Sequence, residues 1–482
     1  MSVLWMLLKI ILVWSCSLSS VKLHEEKVRL RAMSERHLDV LLIGSGTSAH
    51  YCAHGLRDAG KTVTVVDERE FGGTCALRGC QPKKYLVANA EAIAMASHLV
   101  GRGIASAPVC DWPALQRLKN EFLDRIPEDT VKGFQEAGMK VLRGHARFMA
   151  DDAVQVGDEI VRAANIVLAT GSTPRKAGIP GEEHVGTSDD FLNLPELPAR
   201  IVFIGGGYIS FEFAHVATRA GAKVTILHRS ERPLKAFDPD MVNIIIAASR
   251  DAGIDVILNE PAQAVERNGE GFSVMGRSGK RYSADLVIEA SGRVPNLSVL
   301  DGDLGRVESG PKGVIVNEFL QSVSNPRVYA TGDVAATPYQ LAPVADCEGM
   351  VAATNIVSGN VKKMDYAVAS AVFTIPQLAT VGLTESGAKE RGLEFHVHKG
   401  TTEDWASSMR IGEKHGGYKI LFENGTHRIL GAHLARHNAS EVINVFALAT
   451  KFGMTANDLE CVTWAYPTYT SDLTKMIRHI YE

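Results

Sequence analysis

Cysteine is scarce in this chain: seven residues in 482, of which Cys16, Cys52, Cys110, Cys347 and Cys461 are scattered singly. That excludes a disulfide scaffold. No second close cysteine pair and no cysteine–histidine cluster accompanies Cys75 and Cys80, so a zinc module lacks its ligands. Long basic runs are absent and the formal net charge is −4, which leaves nucleic-acid binding without an electrostatic footprint. Uninterrupted apolar runs of the ~20 residues a spanning helix needs are also missing. The nearest candidate, Val3–Trp14, is broken by Lys9. No positive side chain precedes it, and Trp14-Ser15 is a poor approach to Cys16, which argues against a secretory or lipoprotein leader. Residues 1–36 therefore read as an N-terminal extension, with Met33 an alternative start just ahead of the first strand. The expected location is the cytoplasm, with membrane association only if residues 1–20 act as a leader. What remains is 45% apolar and 22% charged, a globular composition long enough for roughly three domains of ~150 residues.

The chain is organised around Phe71-Gly-Gly-Thr-Cys75-Ala-Leu-Arg-Gly-Cys80-Gln-Pro-Lys83-Lys84. A distorted helical turn could bring the two cysteines within the ~4.4–6.8 Å Cα separation a disulfide requires. A purely stabilising bridge is disfavoured, because so small a loop removes little chain entropy. Two inert buried thiols are the other plain reading. A redox-active pair explains the setting better.

Around this stretch the chain repeats a pattern. Asp39–Ile43 reads as a buried strand, Gly44-Ser45-Gly46 as a tight turn opening a helix, and Thr62–Val66 as a second strand ending at Asp67. This βαβ order seats a pyrophosphate on the helix N-terminus and a ribose on the acid. The pattern returns as Ile201–Ile204, Gly205-Gly206-Gly207 and Lys223–Leu227. The twenty-three residues from Gly44 to Asp67, counted from Gly205, reach His228, followed by Arg229 and Lys235. A carboxylate repels a 2′-phosphate, whereas these cations attract it, so the second site should prefer NADPH to NADH. Between the repeats, Lys84 to Gly138 reads as mostly helical, Val141–Ala153 as a hairpin and Ile166–Thr170 as a strand ending at Gly171. Val287–Gly292 closes the second unit. From Tyr366 onward, alternating stretches and the Glu423-Asn424-Gly425 turn signal a different, antiparallel unit, with a helix over Ala439–Phe452. The sequons at Asn424 and Asn438 are accidental in a cytoplasmic protein.

The cysteine stretch resembles the active-site segment of the flavin-dependent pyridine nucleotide-disulfide oxidoreductases, which include glutathione reductase, dihydrolipoamide dehydrogenase and mercuric reductase. Both cysteines, the Gly-Gly-Thr before them and the Pro-Lys after them match, and the likeness extends from Asp39 nearly to the C-terminus. It implies an α/β fold: two Rossmann-like dinucleotide-binding domains, for FAD and NADPH, plus a C-terminal α+β dimerisation domain. The expected boundaries are 37–195 and 293–364 for the FAD domain, 196–292 for the NADPH domain and 365–482 for the interface of a homodimer. The FAD would lie against Gly44, Gly46, Thr47, Ser48, Asp67, Gly73, Thr74, Ala146, Thr170 and Gly171, with Asp333 on its sugar-alcohol chain. NADPH would lie against Gly205, Gly206, Gly207, Ile209, Arg229, Lys235 and Gly292. The resemblance makes Cys80 the flavin-facing thiolate and Cys75 the outward nucleophile. Lys83 stands near the flavin with Glu212 as its partner, and Tyr208 covers the nicotinamide pocket.

Departures cluster at the acceptor end. Where disulfide-reducing relatives carry His-Pro-Thr and a glutamate, this chain has Tyr466-Pro467-Thr468 and Ser471, with Asp472 one residue off. A phenol, with pKa ~10, is a poor base at neutral pH but can donate a hydrogen bond or ligate a metal. His54 and Met350 stand where glutathione reductase places carboxylate-gripping arginines. Mercuric reductase also has an aromatic residue for the histidine, but its C-terminal cysteine pair and its metal-binding N-terminal domain are absent here. The expected activity is electron transfer from NADPH through FAD and Cys75–Cys80 to a non-glutathione disulfide; the alternatives are a metal ion or a quinone. A low-turnover redox sensor is the rival of another class.

Overall fold

The computed structural model describes residues 38–478. Strand β1 (Leu38–Ile43) begins the first sheet, and its Val40–Ile43 are at most 4% exposed. A strand apolar on both faces suits the middle of a parallel sheet covered on both sides. Helix α1 (Thr47–Asp58) crosses over to β2 (Val63–Asp67), which pairs in parallel with Val40 opposite Val63. Helices α2 (Gly73–Arg78) and α3 (Cys80–His98) follow, broken at Gly79, with one cysteine on each side of the break.

Strand β3 (Lys140–Arg143) adds in parallel to the outer edge of β2. Strands β4 (Ala146–Ala150) and β5 (Ala153–Val156) form an antiparallel arm. Strand β6 (Glu159–Leu168) runs from that arm back into the sheet beside β1. The hairpin expected over Val141–Ala153 is therefore corrected. Val141 and Leu142 are adjacent apolar residues that find their backbone partners on β2, and the true hairpin lies one strand later, between β4 and β5. Val328–Ala330 returns from far down the chain to pair with the other side of β6.

The second unit repeats the first: β7 (Arg200–Ile204), α4 (Tyr208–Arg219) and β8 (Lys223–Leu227), with both crossover helices 12 residues long. Adding β9 (Asp255–Ile257) and β10 (Leu286–Glu289) gives a four-stranded parallel sheet in the order β9-β8-β7-β10. Helix α5 (Ala342–Ser358) then packs along α1. Ser48 meets Gly349 and Gly55 meets Ala353, so the two helices run in the same direction. They touch so closely that a Cβ on Gly349 would stand 2.2 Å from the Ser48 carbonyl oxygen.

The C-terminal unit is a five-stranded antiparallel sheet, its central strands Gln377–Gly382 and Ile429–Arg436 backed by the helix Ala439–Phe452. The Glu423-Asn424-Gly425 turn joins two of its strands as expected. Among the described residues no helix is long and apolar enough to cross a membrane.

Candidate active site

The first glycine turn and the cysteine loop meet backbone to backbone. A Cβ on Gly73 (φ +72°) would stand 2.3 Å from Gly46 Cα, and one on Gly44 (φ +113°) 2.1 Å from the Ala169 carbonyl oxygen. Both positions demand glycine for conformation and for space. No side chain caps the N-terminus of α1, so its first N–H groups stay free for an anion. Beside them opens a cleft of about 270 Å³. Thr47 and Ser48 line it from α1, and Asp67 from the end of β2. Gly73, Thr74, Cys75, Cys80 and Lys83 line it from the cysteine loop, and Ala146, Thr170, Gly171 and Asp333 from neighbouring strand ends. Tyr208 and Ile209 enter from α4, so the cleft joins both nucleotide units. A glycine-tight turn, free helix N–H groups and acids at the strand ends together fit a flavin dinucleotide.

Several residues that hold this cleft escaped sequence reasoning. Ser45 donates from its N–H and hydroxyl to Asp67 Oδ2 (2.9 and 2.6 Å) and accepts from the Gly72 N–H (3.0 Å). It thereby ties β2 to the cysteine loop. Ser172 donates to Asp333 (2.7 Å) and is gripped by Arg293 through both hydroxyl and carbonyl (2.9 and 2.6 Å). Arg293-Val-Pro-Asn296 directly after the closing strand was the available signal. Buried Glu348 accepts from the Gly332 N–H (2.7 Å) and the Tyr366 hydroxyl (3.1 Å), which fixes the turn that presents Asp333.

Cys75 and Cys80 stand as two thiols hydrogen-bonded to each other. The Cys75 thiol and nearby Lys83 bring Cys80 down to about 6, although its partial burial opposes this. The same hydrogen bond and burial push Cys75 up. One charged and one neutral sulfur is the arrangement a dithiol redox centre needs. Lys83 contacts Glu212, which is 1% exposed and also accepts from the Phe373 N–H (2.8 Å). Burial disfavours the Lys83 charge, but Glu212 outweighs it and holds the ammonium above its usual range. Lys83 Nζ lies 5.6 Å from the Tyr208 ring centroid, and that ring is 45% exposed at the cleft.

The second glycine turn is equally tight. A Cβ on Gly205 (φ +117°) would stand 2.6 Å from the Ala290 carbonyl, and one on Gly206 2.5 Å from His228 Nδ1. Gly207 caps the extended entrance to α4. His228 is buried, its Nε2 bonded to the Arg232 carbonyl (3.0 Å) and the Ser230 hydroxyl (2.9 Å). Arg229 and Lys235 are exposed, and their charges both act on His228. Gly292 (φ +139°) ends the adjacent strand connection, and its carbonyl accepts from Arg175 N–H (3.0 Å).

Tyr466 stands apart, 86% exposed on the C-terminal unit. Ser471 donates to the Thr468 carbonyl (2.7 Å). Asp472 is committed elsewhere: it accepts from buried Arg436 Nη2 (2.5 Å) and the Ser407 hydroxyl (2.6 Å).

Residues 38–349 match the family model for pyridine nucleotide-disulphide oxidoreductases, and residues 368–477 match that family's dimerisation domain. The chain belongs to this family. It is an FAD-containing, NAD(P)H-dependent oxidoreductase, and its dimerisation domain makes it a homodimer. It is 34% identical to the mercuric reductase of Staphylococcus aureus over 430 residues, covering 87% of this chain and 78% of the relative. It is 30% identical to the glutathione reductase of Burkholderia cepacia over 449 residues, covering 92% and 99%. Among solved structures, the Cu(II) complex of the HOCl-induced flavoprotein disulfide reductase RclA from Escherichia coli superposes with a TM-score of 0.84 at 25% identity, covering 92% of this chain and all of that one.

Proposed function

We propose that this enzyme passes electrons from NADPH to a thiol-binding metal ion in preference to glutathione disulfide, in the cytoplasm. A flavin held by the first glycine turn, Asp67 and Asp333 would supply the two-electron relay between the nicotinamide and the Cys75–Cys80 pair. In this reading Cys80 is the charged sulfur on the flavin side, and Lys83, held by Glu212, stabilises it. Cys75 is the outward sulfur that meets the acceptor. Tyr208 covers the nicotinamide pocket, Asp333 holds the flavin's sugar-alcohol chain, and Arg229 with Lys235 selects the 2′-phosphate.

The observation that carries the choice of acceptor is at Tyr466. A reduced disulfide leaves as a thiolate that needs a proton, and general acid help is worth about 10²–10⁴-fold. Among the described residues Asp472 is spent on Arg436 and Ser471 on a backbone carbonyl, so neither orients Tyr466 or holds its proton. A soft metal ion needs no such proton and is bound readily by thiolates. The relatives named above include two mercuric-ion or copper-binding proteins by their own descriptions. The test is anaerobic NADPH consumption with glutathione disulfide, lipoamide, a mercuric thiolate, Cu(II) and a quinone. Metal reduction should exceed disulfide reduction at least tenfold. A small disulfide turned over as fast as any metal overturns the choice and restores the disulfide reading.

A further inference from the structure

Helix α4 carries more than Tyr208 and Glu212 toward the dithiol. His215 lies three residues past Glu212 on a neighbouring position of the same helix and is 1% exposed. Its Nδ1 accepts from the Ile375 N–H (3.2 Å), and its Nε2 meets the hydroxyl of buried Ser249 (2.9 Å) on the helix Pro239–Asp251. Ser249 gives its own hydroxyl proton to the Ile245 carbonyl (2.6 Å). Its oxygen is therefore left to accept from the imidazole. That puts the ring proton on Nε2 and leaves Nδ1 as the acceptor that the Ile375 N–H requires. Burial, with the Arg219 charge behind it, drives the ring well below its ordinary value and keeps it neutral. A second proton would land on Nδ1 and face a donor. These partners agree on one tautomer, so His215 is built as a fixed acceptor.

The group it accepts from belongs to the segment that orients Glu212. Phe373 and Ile375 lie two apart just past the strand Ala369–Val372, at the start of the dimerisation unit. Their N–H groups meet Glu212 and His215, so the segment is pinned to one helix at two points. A third tie runs to α3, where Gln377 Nε2 donates to Glu91 (2.8 Å). The Phe373 ring lies beside the cations of α3: Lys83 Nζ is 5.9 Å from its centroid, and Lys84 Nζ stands over the same ring. Glu212 divides its two oxygens between Lys83 and the Phe373 N–H. Movement of the segment would thus reach Lys83 twice, through the Glu212 carboxylate and through the ring. We infer that His215 is a positioning residue for the dithiol: it registers segment 373–375 against α4, which aims Glu212 at Lys83 and so sets how far Lys83 favours the Cys80 thiolate. This rests on Cys80 being the charged sulfur and is independent of the acceptor.

The test uses the full-length holoenzyme carrying Cys75→Ser, in which Cys80 has no cysteine to pair with. Its titration is read from the long-wavelength thiolate-to-flavin band. His215→Leu removes the acceptor and should raise the midpoint by about one pH unit, the low end of what an adjacent opposite charge is worth. His215→Asn carries an oxygen where Nδ1 stands and should restore the parent midpoint. In a Lys83→Met background the same His215→Leu change should move nothing further, because its effect passes through Lys83. Ser249→Ala frees the ring but leaves the histidine in place. It should raise the midpoint by a smaller step, and it carries the test where His215→Leu does not fold. An unmoved midpoint in whichever of the two folds, or an equal shift with and without Lys83, overturns the positioning role and leaves His215 a packing residue. A parent band that survives Cys80→Ser overturns the Cys80 assignment itself, and the role of His215 falls with it.

Discussion

Removing the Cys75 thiol should move the titration of Cys80. The ordinary thiol value of 9.0 is lowered to about 6 at Cys80, with the Cys75 hydrogen bond the largest cause and Lys83 behind it. A hydrogen bond to a charged group is worth about 1.5–3 kcal/mol, and one pH unit corresponds to about 1.36 kcal/mol. The Cys75 donor alone therefore accounts for roughly one to two units, with the lower end expected because Cys80 is partly open to solvent. Cys75→Ser keeps a hydroxyl donor and Cys75→Ala removes it. In the proposed reading both variants keep Cys80 on the side of the oxidised flavin, where its thiolate should absorb at long wavelength. The sign follows from the lowered value: the thiolate exists above about pH 6 and is lost as pH falls through it. The band's midpoint should lie near that of the natural pair in Cys75→Ser and about one to two pH units higher in Cys75→Ala. Identical midpoints in the two variants would show that Lys83 sets the charge unaided. A band that survives Cys80→Ser would show that the inner sulfur has been misassigned.

Neutral residues at both Arg229 and Lys235 should remove roughly 2–4 kcal/mol of NADPH preference in kcat/KM, the value of one to two charged hydrogen bonds with overlap discounted; a natural enzyme that prefers NADH refutes the assignment. Gly44→Ala should yield folded protein without the yellow colour of bound FAD, because the added methyl meets the Ala169 carbonyl. Tyr466→His combined with Ser471→Glu should raise turnover of small disulfides near neutral pH, read as NADPH consumption. Asp472→Ala should act differently: it strands the buried Arg436 charge and should cost about 3–5 kcal/mol of stability in denaturant unfolding.

The parts of the structure legible in the sequence were those built from near neighbours. Each glycine turn, its strand and its helix lie within about twenty-five residues, so one local pattern carries geometry and purpose together. Ser45, Ser172 and Glu348 left no such trace. Each is an ordinary polar residue whose role is set by a partner brought in from another element, as when Ser172 meets Asp333, 161 positions away. The misread hairpin has the same origin. Val141 and Leu142 carry no local mark of their partner, and the free edge of β2 decides it. Tyr466 was visible as a substitution, but the commitment of Asp472 to Arg436 depends on a sheet strand 36 residues earlier.

The dithiol and the neighbouring faces of α1 and α5 are held by different means, and that separation would let the acceptor change. Cys75, Cys80 and Lys83 are fixed by the helix break at Gly79 and by Glu212, which itself is anchored to the Phe373 backbone. None of these contacts involves His50, His54 or Met350. The faces of α1 and α5 that touch one another use Ser48, Gly55, Gly349 and Ala353, leaving His50, His54 and Met350 outside that contact. Side chains there can be exchanged without disturbing the helix contact. An electron path anchored independently of its rim is compatible with one fold serving disulfide and metal acceptors alike. It also sets where substitutions should act: changes at the rim should alter KM for one acceptor and not another, whereas changes at Lys83 or Glu212 should lower turnover of all of them together.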